Sequence, residues 1–269
     1  FWYGAVNNIA GTVTKFPLSR VSTFGGNLVT MASWTVDGGA GELALAAFFM
    51  SSGTVIVYTG SDPSDASDWA LVGIYEIGIP IGKRSVVSIG PDVLVATNAD
   101  YVSLSEVLKK GELQTDEGTK AAGAISAAHR SYSDNTGWEA IHYPRGNRIL
   151  FNVPVSTTRY DQHVLNTATQ AWCKFEGMPA RTWGIYNGEL YFGSTDGTVY
   201  KADSGDTDDT GSIASDAQQA WNDFRVANRK KMNALRPVIA ATGSLSLTLG
   251  LGFDYGDVLV SQTATIPAG

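Results

Sequence analysis

The same short-range pattern recurs along the chain in different residues. Residues 182–203 read TWGIYNGELYFGSTDGTVYKAD, three apolar runs broken at Asn187-Gly188 and at Asp196-Gly197. Residues 86–104 read VVSIGPDVLVATNADYVSL, again three runs, broken at Gly90-Pro91-Asp92 and at Asn98-Ala99-Asp100. Residues 46–75 give AAFFM, then TVIVY after Ser51-Ser52-Gly53, then WALVGIY. Apolar runs of about four to eight residues bounded by Gly, Asn, Asp or Pro form antiparallel hairpins. A meander that returns about every 40–50 residues is the sequence mark of a β-propeller. The expected fold is therefore all-β: a β-propeller of about five or six antiparallel blades, with one inserted helix and extra C-terminal strands.

The expected organisation follows from these breaks. Residues 1–17 read as the remnant of one blade, residues 27–75 as a full one and residues 81–108 as the next. Residues 112–131 then lose the alternation. Their AAGAISAAHRS segment favours a helix over 116–132, with Ala121, Ala124, Ile125 and Ala128 on one face. Sheet pattern resumes at 138–143, 148–153, 163–166 and 171–175, and residues 182–203 form the last clear blade. A propeller over 1–203, with its helical insertion at 112–132, is thus followed by a C-terminal β segment over 204–269. That segment either completes the propeller or joins a second domain. Within it, SLSLTLGLGFDYG alternates as a strand does, and RPVIAATG reads as a further strand. The expected core is Trp34, Phe48, Val57, Ile89, Leu94, Val95, Leu150, Val153, Trp172, Ile185, Tyr191 and Val199. The chain opens on Phe1-Trp2-Tyr3 and stops at TATIPAG without a closing element, so it reads as a piece of a longer protein.

Composition narrows the chemistry. A net charge of −7 with only 17% charged residues argues against a surface that clamps nucleic acid, which needs clustered Lys and Arg. An acidic wall would instead let a phosphate backbone pass without sticking. No apolar stretch reaches the roughly 20 residues that a membrane helix needs. The single cysteine, Cys173, forms no internal disulfide. Its place in the apolar run AWCKF reads as a buried, inert thiol.

Motif by motif, the residues favour structural roles. His129, His142 and His163 are scattered, with no metal-ligand spacing, and no G-x-S-x-G elbow marks a nucleophile. The acidic run Asp203, Asp206, Asp208, Asp209 lacks the ligand alternation, central Gly and terminal Glu of an EF-hand loop. Asp62, Asp65 and Asp68, followed by Trp69, sit in the turn-rich GSDPSDASD loop, where carboxylates satisfy turn backbone. Asp62, Asp65, Asp68, Trp69, Asp206, Asp208 and Asp209 are the candidate interaction positions. Glu42, Glu76, Asp92, Glu139 and Glu189 lie in or beside strands, but no spacing pairs two of them for glycoside chemistry. The expectation is no catalytic residue, no metal and no cofactor. Seven Trp and eleven Tyr leave a carbohydrate-binding or glycan-hydrolysing propeller as the alternative.

Four stretches carry a family resemblance. VYTGSDPSDASDWALVGIYEIGIPIGKRSVVSIGPDVLVATNADYVSLS spans 57–105, YPRGNRILFNVPV spans 143–155 and HVLNTATQAWCKFEGM spans 163–178. WGIYNGELYFGSTDGTVYKAD follows them. Together they resemble tailed-bacteriophage virion proteins of the head–tail joining and tail region, of which the short-tailed phage nozzle or tail tubular proteins are the best described. The resemblance covers most of residues 1–240 and rests on whole-pattern likeness, not on a catalytic motif. It implies a structural subunit in a closed ring, hexameric in the intact protein, with propeller parts outside. It also implies contacts with neighbouring tail or adaptor proteins, and double-stranded DNA passing through the lumen. The implied location is the virion tail, assembled in the host cytoplasm, and no catalytic residue is carried over.

Overall fold

Four antiparallel meander sheets, each built from consecutive segments of chain, make up most of the first unit. The computed structural model describes residues 1–5, 7–22, 24–37, 42–110, 123–205, 207–208, 211–212, 216, 221–222, 225, 231, 233–234, 236, 238–239, 243–252 and 258–266. The chain divides into two units, Phe1–Gly205 and Asp206–Gly269.

The first unit opens with a two-stranded ribbon, β1 (Trp2–Tyr3) and β2 (Thr14–Lys15). Sheet I follows in the order β3 (Leu28–Asp37), β4 (Glu42–Met50), β5 (Thr54–Thr59), β6 (Ala70–Glu76). Sheet II contains β7 (Val86–Ile89), β8 (Asp92–Ala96) and β9 (Tyr101–Ser103). Two helices come next, α1 (Leu104–Lys110) and α2 (Gly123–Tyr132). Sheet III contains β10 (Glu139–Tyr143), β11 (Arg148–Pro154), β12 (Tyr160–Asn166) and β13 (Trp172–Phe175). Sheet IV contains β14 (Ala180–Tyr186), β15 (Glu189–Ser194) and β16 (Val199–Lys201). Within these sheets, every pairing of described strands is antiparallel and joins neighbours in sequence. The β14–β15 turn shows why: Asn187 and Gly188 both adopt positive φ, 50° and 76°, the geometry that a two-residue hairpin demands.

The sheets cover one another's faces in chain order. Trp34, Leu45, Ala47, Phe49, Val55 and Val57 of sheet I meet Val93, Val95 and Val102 of sheet II. From the opposite face of sheet II, Leu94, Ala96 and Tyr101 meet Ile149, Phe151, Val153 and Leu165 of sheet III. Leu150, Val164 and Tyr143 of sheet III then meet Trp183, Leu190 and Phe192 of sheet IV. Sheets II and III are therefore buried on both faces, which is why β8 and β11 are apolar almost without interruption. Sheet IV covers only one face, and the residues of β15 alternate between buried and half-buried positions.

The first strands of the sheets lie side by side: β3 beside β7, β7 beside β10 and β10 beside β14. A polar clasp ties three of them. Arg84, just before β7, forms a parallel bridge with Glu139, and Ala140 N–H donates to the Arg84 carbonyl at 2.7 Å. The Arg84 guanidinium reaches Glu139 Oε2 and Thr182 Oγ1, each at 3.2 Å, and the Thr182 hydroxyl donates to Glu139 Oε1 at 3.1 Å. The Arg84 end is open to solvent, so the clasp sets register more than it adds stability.

The expected β-propeller is not what these repeats build. Among the described residues no sheet is closed or strongly curled; the meanders are separate open sheets. Period-two patterning and turn residues dictate local meanders. They carry no instruction for joining the last sheet to the first, which is a long-range packing matter. The outer face of sheet I is instead covered by the chain's own N-terminal segment. Phe1, Phe16, Leu18 and Val21 lie against Phe48, Ile56, Tyr58 and Trp69 there.

Smaller expectations also shift. The run after β9 turns helical at Leu104, because Ser103 Oγ accepts the Glu106 N–H at 3.3 Å and Asp92 Oδ1 accepts the Ser105 N–H at 2.8 Å. These bonds cap the first turn of α1, whose Ser-x-x-Glu opening is a capping-box sequence. The helix expected over 116–132 is seen over Gly123–Tyr132; residues 111–122 lie outside the described ones. Ile125 of the expected face is buried, together with Ser126 and His129, whereas Ala124 is exposed, Ala128 half-buried and Ala121 outside the described residues. Within the expected core, Ile185 and Val199 are exposed, and Ile89, Trp172 and Tyr191 are half-buried. Val199 sits on sheet IV, whose second face nothing in the first unit's hydrophobic clusters covers.

In the second unit, β17 (Thr207–Asp208) pairs with β18 (Gly211–Ser212), and β19 (Leu245–Gly252) with β20 (Val258–Ile266). Leucines at 245, 247, 249 and 251 of β19 alternate with exposed Ser246, Thr248 and Gly250. Val238 and Ile239, expected in a strand, lie outside one, whereas 258–266 form a strand that the pattern did not announce.

Truncating Phe151, fully buried between sheets II and III, should lower unfolding stability by ~3–5 kcal/mol. Tyr186→Ala, on an exposed stretch of β14, should change it by no more than ~0.5 kcal/mol. Urea unfolding followed by tryptophan fluorescence checks both; equal effects would contradict the sheet-stacking assignment.

Candidate functional sites

The acidic loop between β5 and β6 is a set of self-satisfied turns. Asp68 Oδ2 accepts the backbone N–H of Ser61 at 2.6 Å and that of Asp62 at 2.8 Å. Asp62 Oδ1 accepts Ser64 N–H and Oγ–H at 2.9 and 2.6 Å, and Asp65 Oδ1 accepts the same pair from Ser67 at 2.8 and 2.6 Å. A serine two positions along makes Asp62 and Asp65 each a turn acceptor. Hydrogen bonds from Ser67 hold the Asp65 carboxyl below its ordinary range, and those from the backbone of Ser61 and Asp62 do the same for Asp68. Gly60 closes the loop at φ +114°, where an added Cβ would lie 2.3 Å from the Asp68 carbonyl oxygen. Trp69, the fourth candidate here, turns inward. Its ring stacks on Tyr58 at 5.1 Å and meets Phe16 edge-on at 6.2 Å.

The other acidic candidates give less. Asp208 lies in β17, and Asp206 and Asp209 fall outside the described residues. Among the described residues, no group of three His, Cys, Asp or Glu side chains is placed to hold a metal ion.

Three of the five strand carboxylates have a structural partner. Glu139 is held by the clasp described above. Glu189 pairs with Arg145 and, at 3.4 Å, with Lys201. Asp92 caps α1, its Oδ2 accepting the Ser103 hydroxyl at 2.5 Å. Glu76, at the end of β6, is exposed, and the Glu42 side chain lies outside the described positions.

The placement of the histidines was not legible in the sequence. His129 and His163 are both fully buried and lie on either side of Tyr101. The Tyr101 hydroxyl bonds His163 Nδ1 at 2.7 Å, and His129 Nε2–H donates to the Thr97 carbonyl at 2.5 Å. Trp138 packs on His129 at 5.0 Å and Trp172 stacks on Tyr101 at 4.6 Å. Burial pushes both imidazoles down, His163 to about 4 with help from the His129 and Lys174 charges. Burial also raises the Tyr101 phenol well above its ordinary value, the Asp100 charge adding to it. These groups are neutral at pH 7 and screened from solvent, so they hold sheets and helix together without facing a substrate. Period-two spacing could not have found this cluster, since its members come from β9, α2 and β12.

His142 lies elsewhere, in a cleft of about 350 Å³ lined by Ile89, Gly90, Ile149, Leu165, Thr167 and Gln170. Burial lowers its pKa. The Gln170 amide donates back to the Thr167 carbonyl at 2.9 Å, so the cleft presents one imidazole without a second acid or base beside it. Cys173, expected to be buried, is exposed. It sits on the edge strand β13, on the face shared with Val164, beyond the reach of sheet IV. Partial burial raises its thiol pKa, with Arg148 opposing, so exposure does not make it a reactive thiolate.

No protein-family model matches the chain, and no curated protein matches it.

Asp68→Ala should open the 61–68 loop to proteases and lower the melting temperature, since two backbone N–H groups lose their acceptor. Calcium or a chelator should leave the wild-type melting temperature unchanged. A calcium-dependent rise that Asp68→Ala abolishes would contradict the turn assignment.

Proposed function

We propose that this chain is a structural subunit of a tailed-bacteriophage virion, in the tail nozzle or head–tail connector. Its intact form builds a closed ring, hexameric, around the DNA channel and contacts neighbouring tail or adaptor proteins. The observation that supports the reading best is the engagement of its chemistry-bearing side chains in holding the fold. Asp62, Asp65 and Asp68 close a turn, Asp92 caps a helix, Glu139 ties three strands, and His129 and His163 are buried. That is the economy of a scaffold, and the resemblance of residues 57–105, 143–155 and 163–178 directs it to the phage tail. The net charge of −7 fits a wall past which duplex DNA slides. Carbohydrate binding would need rings displayed over a cleft. Phe1, Phe16, Phe48, Tyr58 and Trp69 pack on one another, and the exposed rings of Trp2, Phe24 and Tyr186 are not among the residues lining the His142 cleft.

Cryo-microscopy of purified particles, labelled with antibody fragments against this chain, should place the label at the tail or portal vertex as a ring. Label on capsid faces, or absence of the chain from purified virions by mass spectrometry, would rule the reading out. Duplex DNA should bind the isolated chain weakly and with little salt dependence. A steep salt slope would contradict the sliding-wall part.

A further inference from the structure

The buried pair of histidines has a property that a passive core lacks. His129 Nδ1 and His163 Nε2 are both buried with no hydrogen-bond partner. His129 Nε2–H is already committed to the Thr97 carbonyl, so a second proton on that ring has no acceptor. His163 is no better placed: if Nδ1–H donates to Tyr101, a second proton falls on Nε2, which has no acceptor, and if Nδ1 accepts from Tyr101, a second proton displaces that bond. The two rings flank one tyrosine, so two added protons would also place like charges in one apolar cluster.

The two histidines differ in what holds them. His163 stands in β12, hydrogen-bonded on both sides by β11 and β13. His129 stands on α2, a ten-residue helix whose other buried side chains are Ile125 and Ser126. Besides His129, α2 is attached by Ser126 Oγ–H to Asp100 Oδ2 at 2.8 Å and by Trp138 Nε1–H to the Tyr132 carbonyl at 3.1 Å. A helix of that length is not stable on its own in water. Opening α2 would therefore wet both imidazoles while leaving the sheet ladders intact.

We propose that α2 is an acid-released latch: below neutral pH, protonation of His129 and His163 detaches it from sheets II and III while the sheets remain folded. The charged and titratable groups around the pair are Asp100 and Tyr101 at the start of β9, Arg130 on α2, Asp161 on β12 and Lys174 on β13. Asp100 favours the protonated His129, whereas Arg130 disfavours it, and Lys174 disfavours the protonated His163. Well above pH 6.5 the imidazoles are neutral in both closed and open forms, and closure has its full strength. As the pH falls toward about 4 the open form takes up protons that the closed form refuses, so closure weakens steadily.

Hydrogen exchange of the full chain, read by mass spectrometry and corrected for intrinsic rates, tests this. Between pH 6.5 and 4.5, protection of 123–132 should fall at least about tenfold per pH unit, reversibly, while that of β8 and β11 falls less. His129→Gln keeps an N–H for the Thr97 carbonyl but takes no proton, so the slope should drop by about one proton. Ser126→Ala, which keeps both histidines, should retain the wild-type slope from a lower starting protection. If His129→Gln does not fold, the wild-type comparison of α2 with β11 decides. A flat α2 profile, one that tracks β11 at every pH, or an unchanged slope in a folded His129→Gln protein would overturn the proposal.

Discussion

Burial of both faces of sheets II and III is the constraint on which the first unit depends. A single meander of three or four short strands has too little apolar area to hold itself together in water. Here each sheet serves as the lid of the one before it. Val93 and Val95 point into one interface and Leu94 and Ala96 into the next, so one five-residue strand contributes to two cores. Ile149, Phe151 and Val153 against Leu150 repeat the arrangement on β11. Burying a large apolar side chain contributes ~1.5–3 kcal/mol, and several such side chains line each interface. The surface ion pairs, such as Arg145–Glu189 and Lys174–Glu176, are minor by comparison.

Strands were legible because their signal is local. Turn dipeptides such as Asn187-Gly188 and uninterrupted runs such as TVIVY fall where the hairpins and strands are found. Long-range consequences were not legible. Whether a row of meanders closes depends on which residues cover the first sheet, and here Phe1, Phe16 and Leu18 take that place. The same limit explains Val199: an apolar residue in a strand is buried only if something lies over its face. Helix α1 was missed because Leu104 and Val107 read as a continuing apolar run, although Ser103 and Glu106 carried the capping signal. The histidine–tyrosine cluster had no sequence signature, since Tyr101, His129 and His163 meet only through the packing of three elements.

The sites follow the same logic. Residue types that do chemistry in enzymes are used here to satisfy backbone: carboxylates accept turn and helix N–H groups, and Gln162 and Asn152 bridge to the carbonyls of Met178 and Ala180. Buried polar groups of this kind specify one arrangement of sheets, because a shifted register would leave them unpaired. Among the buried side-chain polar atoms without a partner in the described residues, the two that can take up a proton near neutral pH are the imidazole nitrogens of His129, on α2, and His163. A scaffold that is stiff in its sheets and conditional in one helix is a coherent physical object.

Through their shared faces the four sheets form one cooperative body. Native-state hydrogen exchange at pH 7 in Val95→Ala, which opens a cavity only in the interface of sheets I and II, tests it most directly. If the sheets stand or fall together, the slowest-exchanging amides of β5, β11 and β15 lose protection by the same factor. A loss confined to β5 and β8, with β11 and β15 unchanged, would show that the sheets are independent and would contradict the account.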